Sequence, residues 1–361
     1  MSDNLFDRLF ELFQTTDRIN WRLAEEITKS LAGAPVPIEP QLAEEYEELA
    51  LAAQLRLANA GALDGGGGTV PYPIDRTGWA KENHRAFAYL IDPLSGTMGD
   101  GIGGGDPMAA MMGPLGPALL GMQAGTMVGF ISHRVMGQFD TALPPLDHRR
   151  AYLVVPNVEA FAVEHDLDAR QVRLWATMHE LINYSVIGID TLRHHLIAKV
   201  QELYAGLDFD PSGLMEKLNQ MQDPAQLEGM LSESDGLASL FGGEPRPELA
   251  SGVQAAAAFI EGYGDYVVRV SGSDLLPDLP AIEAAHRVRR SEPSQGIEQL
   301  GQLIGLQLQR PRATDAAELC DEIARRWGPE ALDRIWETPD HLPRLEELTD
   351  PVGWAARVLL E

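Results

Sequence analysis

Cysteine is nearly missing from this chain. Cys320 stands alone among 361 residues, so no disulfide and no thiolate metal cluster can be built within the chain. It lies in a helix-like run and reads as a small buried apolar residue. Positive charge is scarce as well: 28 Lys and Arg face 54 Asp and Glu, a formal net charge of −26. Phosphate binding needs a basic footprint, so nucleic acid is excluded as a main partner. A basic peptide is compatible with such a surface, although acidity serves solubility first. The opening residues Met1-Ser2-Asp3-Asn4-Leu5-Phe6 have neither the basic region nor the long apolar run of a secretory signal, and a reducing, cytoplasmic setting is expected.

Residues 107–132 lack formal charge, which raises a membrane question. A span needs about 20 mostly apolar residues. This stretch instead holds Pro107, Pro114 and Pro117, with Gly113, Gly116, Gly121, Gly125 and Gly129. It reads as a loop followed by a buried helix from about Ala118, and membrane attachment is not expected. Gly121, Gly125 and Gly129 recur every four residues, a smooth strip for a close helix neighbour, and that spacing also occurs in membrane dimers. Two glycine-rich stretches, residues 65–68 and 95–106, lack the lysine of a P-loop and the strand–turn–helix setting of a dinucleotide site. Both read as loops, and no nucleotide cofactor is expected.

Helical patterning dominates what is present. Leu42, Tyr46, Leu49 and Ala53 form one stripe, with Glu44, Glu45, Glu47 and Glu48 off it as a solvated face. Asp75 opens a helix expected to reach Ile91. Ala151-Tyr152-Leu153-Val154-Val155 makes the clearest strand, stopped by Pro156. Asn157 is placed to cap the next helix, and Ser251 to cap a long one through about Val270. A short helix is expected around Leu214 to Met221. The fold class expected is mainly α, a large multi-helix domain with a minor β component. Residues 1–60 form N-terminal helices and 70–361 a helical domain, together one continuous globular unit.

The chemistry concentrates at Met178-His179-Glu180-Leu181-Ile182-Asn183. His-Glu-x-x-His on a helix sets two imidazoles one turn apart, beside a carboxylate that activates water. Here Asn183 stands where the second histidine belongs. Asp168 with Gln171 forms a capping box, so the helix starts near Ala169 and ends by Gly188. Val172, Trp175, His179, Asn183 and Val186 line one stripe; Leu174, Met178, Leu181 and Ser185 line a second. Such a helix is buried on most sides. On these grounds alone His179 reads first as a hydrogen-bonded core histidine and only second as a ligand. A second helix carries Glu261 and Asp265, four apart and pointing the same way. Gly262 and Gly264 lie between, each costing about 1 kcal/mol relative to alanine in a helix interior. That cost is reasonable where a backbone must approach something closely. Glu261 is then a distant third ligand with Asp265 beside it. In the alternative, Asp265 pairs with Arg269 and Glu261 is solvated.

Several segments in order carry a family resemblance: Asp75-Arg76-Thr77-Gly78-Trp79, residues 133–140, Val155-Pro156-Asn157-Val158, Arg173-Leu174-Trp175, His179-Glu180, Leu192-Arg193 with His195, Glu261-Gly262, and Trp354. The chain resembles the zincin-like metallopeptidases common in actinobacteria and often labelled as associated with deazaflavin-coenzyme biosynthesis. The resemblance implies a zinc site with His179 as ligand, Glu180 as general base and Glu261 as third ligand. This chain departs from it at Asn183, and at Tyr263, where the family tends to have histidine. An amide oxygen is a harder and weaker donor for zinc than imidazole, so bound zinc is expected to be weak or absent. His194 or His195, on the following helix, are possible replacement ligands, and Tyr184 or Tyr263 could stabilise an oxyanion. Two readings stay open: a metal-dependent, peptidase-like hydrolase, or a catalytically inactive relative that binds a peptide or protein partner. Either way, His179, Asn183 and Glu261 are expected to meet in one cleft. If Asn183 is the main defect, Asn183→His should restore zinc affinity.

Overall fold

The computed structural model describes residues 15–61, 68–102, 115–141, 143–146, 150–204, 208–209, 241–242, 247–292, 294–296, 298 and 312–360. The fold is mainly α. Helices α1 (Trp21–Ala32) and α2 (Pro40–Asn59) precede β1 (Tyr72–Ile74), α3 (Arg76–Asn83), α4 (Ala88–Ile102) and α5 (Leu115–Ile131). Strand β2 (Tyr152–Val154) leads directly into α6 (Val155–Glu164), α7 (Ala169–Ile187) and α8 (Asp190–Tyr204). The last part holds α9 (Pro247–Gly272), α10 (Leu279–Ser291), α11 (Arg312–Trp327), three short 3₁₀ segments between Pro329 and Thr349, and α12 (Pro351–Val358). The helix expected around Leu214 to Met221 lies outside the described residues.

β1 pairs in parallel with β2, Tyr72 against Tyr152 and Ile74 against Val154. Residues 136–138 run antiparallel along the other side of β2. The Gln138 N–H donates to the Tyr152 carbonyl at 3.0 Å, and the Val154 N–H to the Met136 carbonyl at 2.9 Å. A polar lattice holds this small sheet. Asp75 caps α3 by accepting from the Gly78 N–H at 2.8 Å. Arg76 Nε donates to Asn157 Oδ1 at 2.6 Å, and Asn157 Nδ2 to the Ser132 and Val135 carbonyls. The Asn83 and Gln138 side-chain amides bond each other.

Three sequence expectations shift here. Asn157 does not cap α6, because Pro156 is already in its first turn, where a missing N–H costs nothing. Freed from capping, its amide is the hub of the lattice. Ser251 sits inside α9, its hydroxyl donating to the Glu248 carbonyl, because the helix already starts at Pro247. The helix opened by Asp75 stops at Asn83 and resumes at Ala88, and residues 95–102, expected as loop, continue α4. Glycine lowers helix propensity by only about 1 kcal/mol each, and burial of Leu90, Ile91 and Leu94 outweighs it.

Two apolar clusters form the core. The larger surrounds α7, α9 and α11, with Trp175, Phe161, Phe259 and Trp354 fully enclosed. Cys320 is buried there. The smaller joins α1, α3, α4, α5 and β2 around Trp79, Phe87 and Met127. Within it the glycine strip of α5 lies on α1. A methyl group at Gly125 would sit 2.5 Å from the Ala24 carbonyl oxygen and 2.9 Å from Ile27 Cβ. Gly121 faces the Asn20 backbone and Gly129 faces Leu31 in the same way. No helix among the described residues is long and apolar enough to cross a membrane.

Because the obstacle at Gly125 is backbone, it cannot swing aside. Gly125→Ala should lower unfolding free energy by about 1–3 kcal/mol, the range for overpacking. At Gly252 in α9 the nearest atom to an added methyl is Lys199 Cδ at 3.9 Å. Gly252→Ala should therefore stabilise by about 0.5–1 kcal/mol through helix propensity. Urea unfolding of both variants checks the pair.

Candidate functional site

α7 begins as its sequence requires, with Asp168 accepting from the Gln171 N–H at 2.9 Å, and runs to Ile187. It is buried on nearly every side, so His179, Glu180 and Asn183 are all interior. His179 and Asn183, one turn apart, face α9 across Gly264. A methyl at Gly264 would lie 3.1 Å from Asn183 Oδ1 and 3.3 Å from His179 Nδ1. The glycine is what lets the two helices close here. Gly262 does the same for α9 against Ala313 and Ala316 of α11. Trp175, one turn before His179, packs its ring 4.6 Å from the imidazole.

His179, Glu180, Asn183 and Glu261 line one cavity, together with Asp140, Trp175, His286 and Arg290. Its volume is about 20 Å³, room for about one water or one bare ion. Asp265 closes the same group: its Oδ1 lies 3.3 Å from His179 Nε2. The expected alternative partner, Arg269, instead binds Glu283 and Asp321. The cation on Asp265 is Arg290, from α10. Arg290 Nη2 donates to Asp265 Oδ1 at 3.1 Å, Nη1 donates to Oδ2, and Nε is 3.9 Å from Glu261 Oε2. Asn183 Oδ1 is buried without a hydrogen-bond donor.

Glu180 faces the sheet. Its Oε2 accepts from the Phe139 N–H at 3.2 Å and its Oε1 from the Tyr152 N–H at 3.2 Å. The Gln138 N–H also reaches it. Gly137 passes so close to Oε2 that no larger residue fits without displacing the carboxyl. Burial pushes Glu180 up to about 8, against the opposing pull of these three N–H groups. Burial drives His179 down to about 4; Asp265 opposes that shift and Arg290 adds to it. The imidazole is therefore neutral at pH 7.

The other sequence candidates lie elsewhere. Tyr263 is on another face of α9, its ring 4.9 Å from that of Trp336. Tyr184 packs edge-on to Phe139 at 6.2 Å. His194 is exposed on α8. His195, half-buried, lines a separate open cleft of about 930 Å³ between α8, the start of α9 and residues 338–346. Sequence reasoning missed Arg290 and His286. They stand four apart on α10, and that spacing was the available signal, though no motif drew attention to it.

Zinc, which the resemblance implies, does not fit these residues as they stand. One imidazole is present on the motif helix, and its Nε2 faces Asp265. Of the two carboxylates that would complete a ligand set, Asp265 is hydrogen-bonded by Arg290 and Glu261 lies 3.9 Å from the Arg290 Nε. Among the described residues no group of three or more His, Cys, Asp or Glu is arranged to hold a metal ion.

The sequence profile of zincin-like metallopeptidases matches residues 19–355. A solved structure from Chloroflexus aurantiacus, described as a putative hydrolase with a novel fold, superposes with a TM-score of 0.67. It is 22% identical, with 95% of this chain and 99% of that chain covered. At that identity the likeness concerns the fold. No match is found among curated proteins.

Two measurements follow from this geometry. Glu180→Ala would leave the Phe139 and Tyr152 N–H groups buried without an acceptor, at about 1–3 kcal/mol each. Chemical denaturation should show a loss of several kcal/mol, whereas an exposed general base could be removed with little effect on stability. The second concerns pH. The folded chain holds His179 neutral down to about 4, while in the unfolded chain it titrates near 6.5. Below that value the unfolded state binds a proton at His179 that the folded state does not, so the His179 contribution to stability falls as pH falls from about 6.5 toward 4, while Glu180, raised to about 8, contributes with the opposite sign. Between pH 7.5 and 5 the loss at His179 should reach up to about 2 kcal/mol. His179→Phe should lack that contribution in paired melts at the two pH values.

Proposed function

This chain belongs to the zincin-like metallopeptidase family, and from that premise we propose that it keeps the family scaffold without zinc-dependent hydrolysis. The observation that carries this reading is the state of the motif carboxylate. Glu180 has both oxygens bonded to backbone N–H groups of residue 139 and β2. A general base must present a lone pair to the water it deprotonates, and three backbone N–H groups already draw on the four that this carboxyl offers when ionised. Asn183, in place of a second imidazole, points the same way. The hydrolase reading would require Arg290 to leave Asp265 and the Glu180 carboxyl to reach a water beside His179 while still held by its amides.

Recognition without cleavage is the role left to such a scaffold, with a peptide or protein segment as partner. The cleft between α8 and α9 suits it in size, since ligand pockets commonly span about 300–1,000 Å³. Its walls offer Lys199, His195 and Arg344 beside Glu248 and Glu346, with Leu342 and Leu345 between. α9 presents residues 252, 255 and 256 to this cleft and Glu261 and Asp265 to the buried cavity. Binding in the cleft therefore needs nothing from the His179 group.

The test is hydrolysis of a mixed peptide library by protein purified without chelator, with and without added zinc. No metal-dependent cleavage is expected, and Glu180→Gln should change nothing in the products. Zinc-dependent cleavage that disappears in Glu180→Gln would establish the hydrolase reading instead.

A further inference from the structure

We infer that Arg290 is the resident cation of this site: its guanidinium engages the carboxylates that a divalent ion would need, and it keeps zinc out whatever residue stands at position 183. The inference rests on the non-hydrolytic reading and adds its structural cause. Ligands of one zinc each lie about 2 Å from it, so two ligating atoms stand within about 4 Å of each other. His179 Nε2 and Asp265 Oδ1, 3.3 Å apart, have that spacing. The same Oδ1 accepts from Arg290 Nη2 at 3.1 Å. The second Asp265 oxygen accepts from Nη1, and Glu261 Oε2 lies 3.9 Å from Nε. The guanidinium thus donates to both Asp265 oxygens and sets its charge beside Glu261, with no hydrogen bond from Nε. Arginine holds its charge throughout the physiological range and pairs with Asp265 bidentately, so neither pH nor a small shift releases that carboxylate.

Arg290 is also held in place. Its side chain is 7% exposed. The adjacent Arg289 bonds the Arg134 carbonyl at 2.6 Å, and Arg134 returns a bond to the Arg289 carbonyl at 2.7 Å. This end of α10 is therefore tied to the turn after α5. A missing second histidine is then only half of the change from a zinc site. The acidic side of the site has been turned over to an internal counter-ion.

Zinc titration calorimetry on the full chain tests this, using zinc chloride as the probe. The parent and Asn183→His should both show no saturable binding. Asn183→His with Arg290→Gln should bind at least about 100-fold more tightly than Asn183→His alone, the order expected when ligands are freed and oriented. Zinc should also raise the melting temperature of that double variant. Asn183→His with Arg290→Lys, which keeps a cation beside the acids, should still exclude zinc. Asn183→His alone binding as tightly as the double variant would overturn the inference. So would a folded Gln double variant with no gain, or one zinc per parent chain lost on His179→Ala. Should the Gln variant not fold, the Asn183→His and Arg290→Lys titrations decide, because tight binding in either contradicts an Arg290 block. Peptide hydrolysis by the parent would refute the functional reading by a separate measurement, independent of these affinities.

Discussion

The carboxyl of Glu180 sets the geometry of this protein's interior. It lies between α7 and the small sheet and bonds the N–H groups of Phe139 and Tyr152, with Gln138 in reach. A buried carboxyl is costly, and only hydrogen bonds of this kind offset the loss of water. The contact fixes α7 in rotation about its own axis. With Glu180 turned to the sheet, His179 and Asn183 must face α9, and Gly264 must leave room for them. Gly137 is constrained from the other side for the same reason.

That rotation creates a second buried assembly, in which one internal cation offsets part of the charge of two acids. Asp265 and Glu261 come from α9, Arg290 from α10 and a neutral His179 from α7. Pairs of this kind add little net stability over apolar packing, yet losing one member leaves an uncompensated buried charge. They serve better as registration devices, here locking three helices at one point. On the non-hydrolytic reading the family's scaffold is retained while the chemistry at its centre differs, in keeping with the rule that function resides in sites carried by folds.

Much of the fold was legible because local rules and packing agreed. Asp168, Gln171 and Gly188 mark both ends of α7, and the alternation of two apolar stripes announced its burial. The strand expected over residues 151–155 is present at its centre, Tyr152–Val154, and the strip of Gly121, Gly125 and Gly129 was read for what it is, although the strip's partner, α1, was not foreseen. Errors fell where a capping residue had two possible uses. Asn157 and Ser251 have the chemistry of caps, but both helices begin earlier, at Val155 and Pro247, and the side chains turn elsewhere. The acidic face of α2 was read as solvated, yet Glu45 bonds Arg170 and Arg173 across to α7.

The sequence by itself determined the helical class, the motif helix, the absence of a second histidine at position 183 and the pairing of Glu261 with Asp265 on one helix face. These depend on spacing of three or four residues, which a helix converts directly into position. Only the tertiary structure decided what those groups face. That Glu180 meets backbone amides, that Asp265 meets Arg290 rather than Arg269, and that Tyr263 turns toward Trp336 all depend on how helices distant in sequence are rotated against one another. No local pattern encodes that rotation. It follows from burying several apolar faces at once, with the polar groups left inside forced to find partners among themselves.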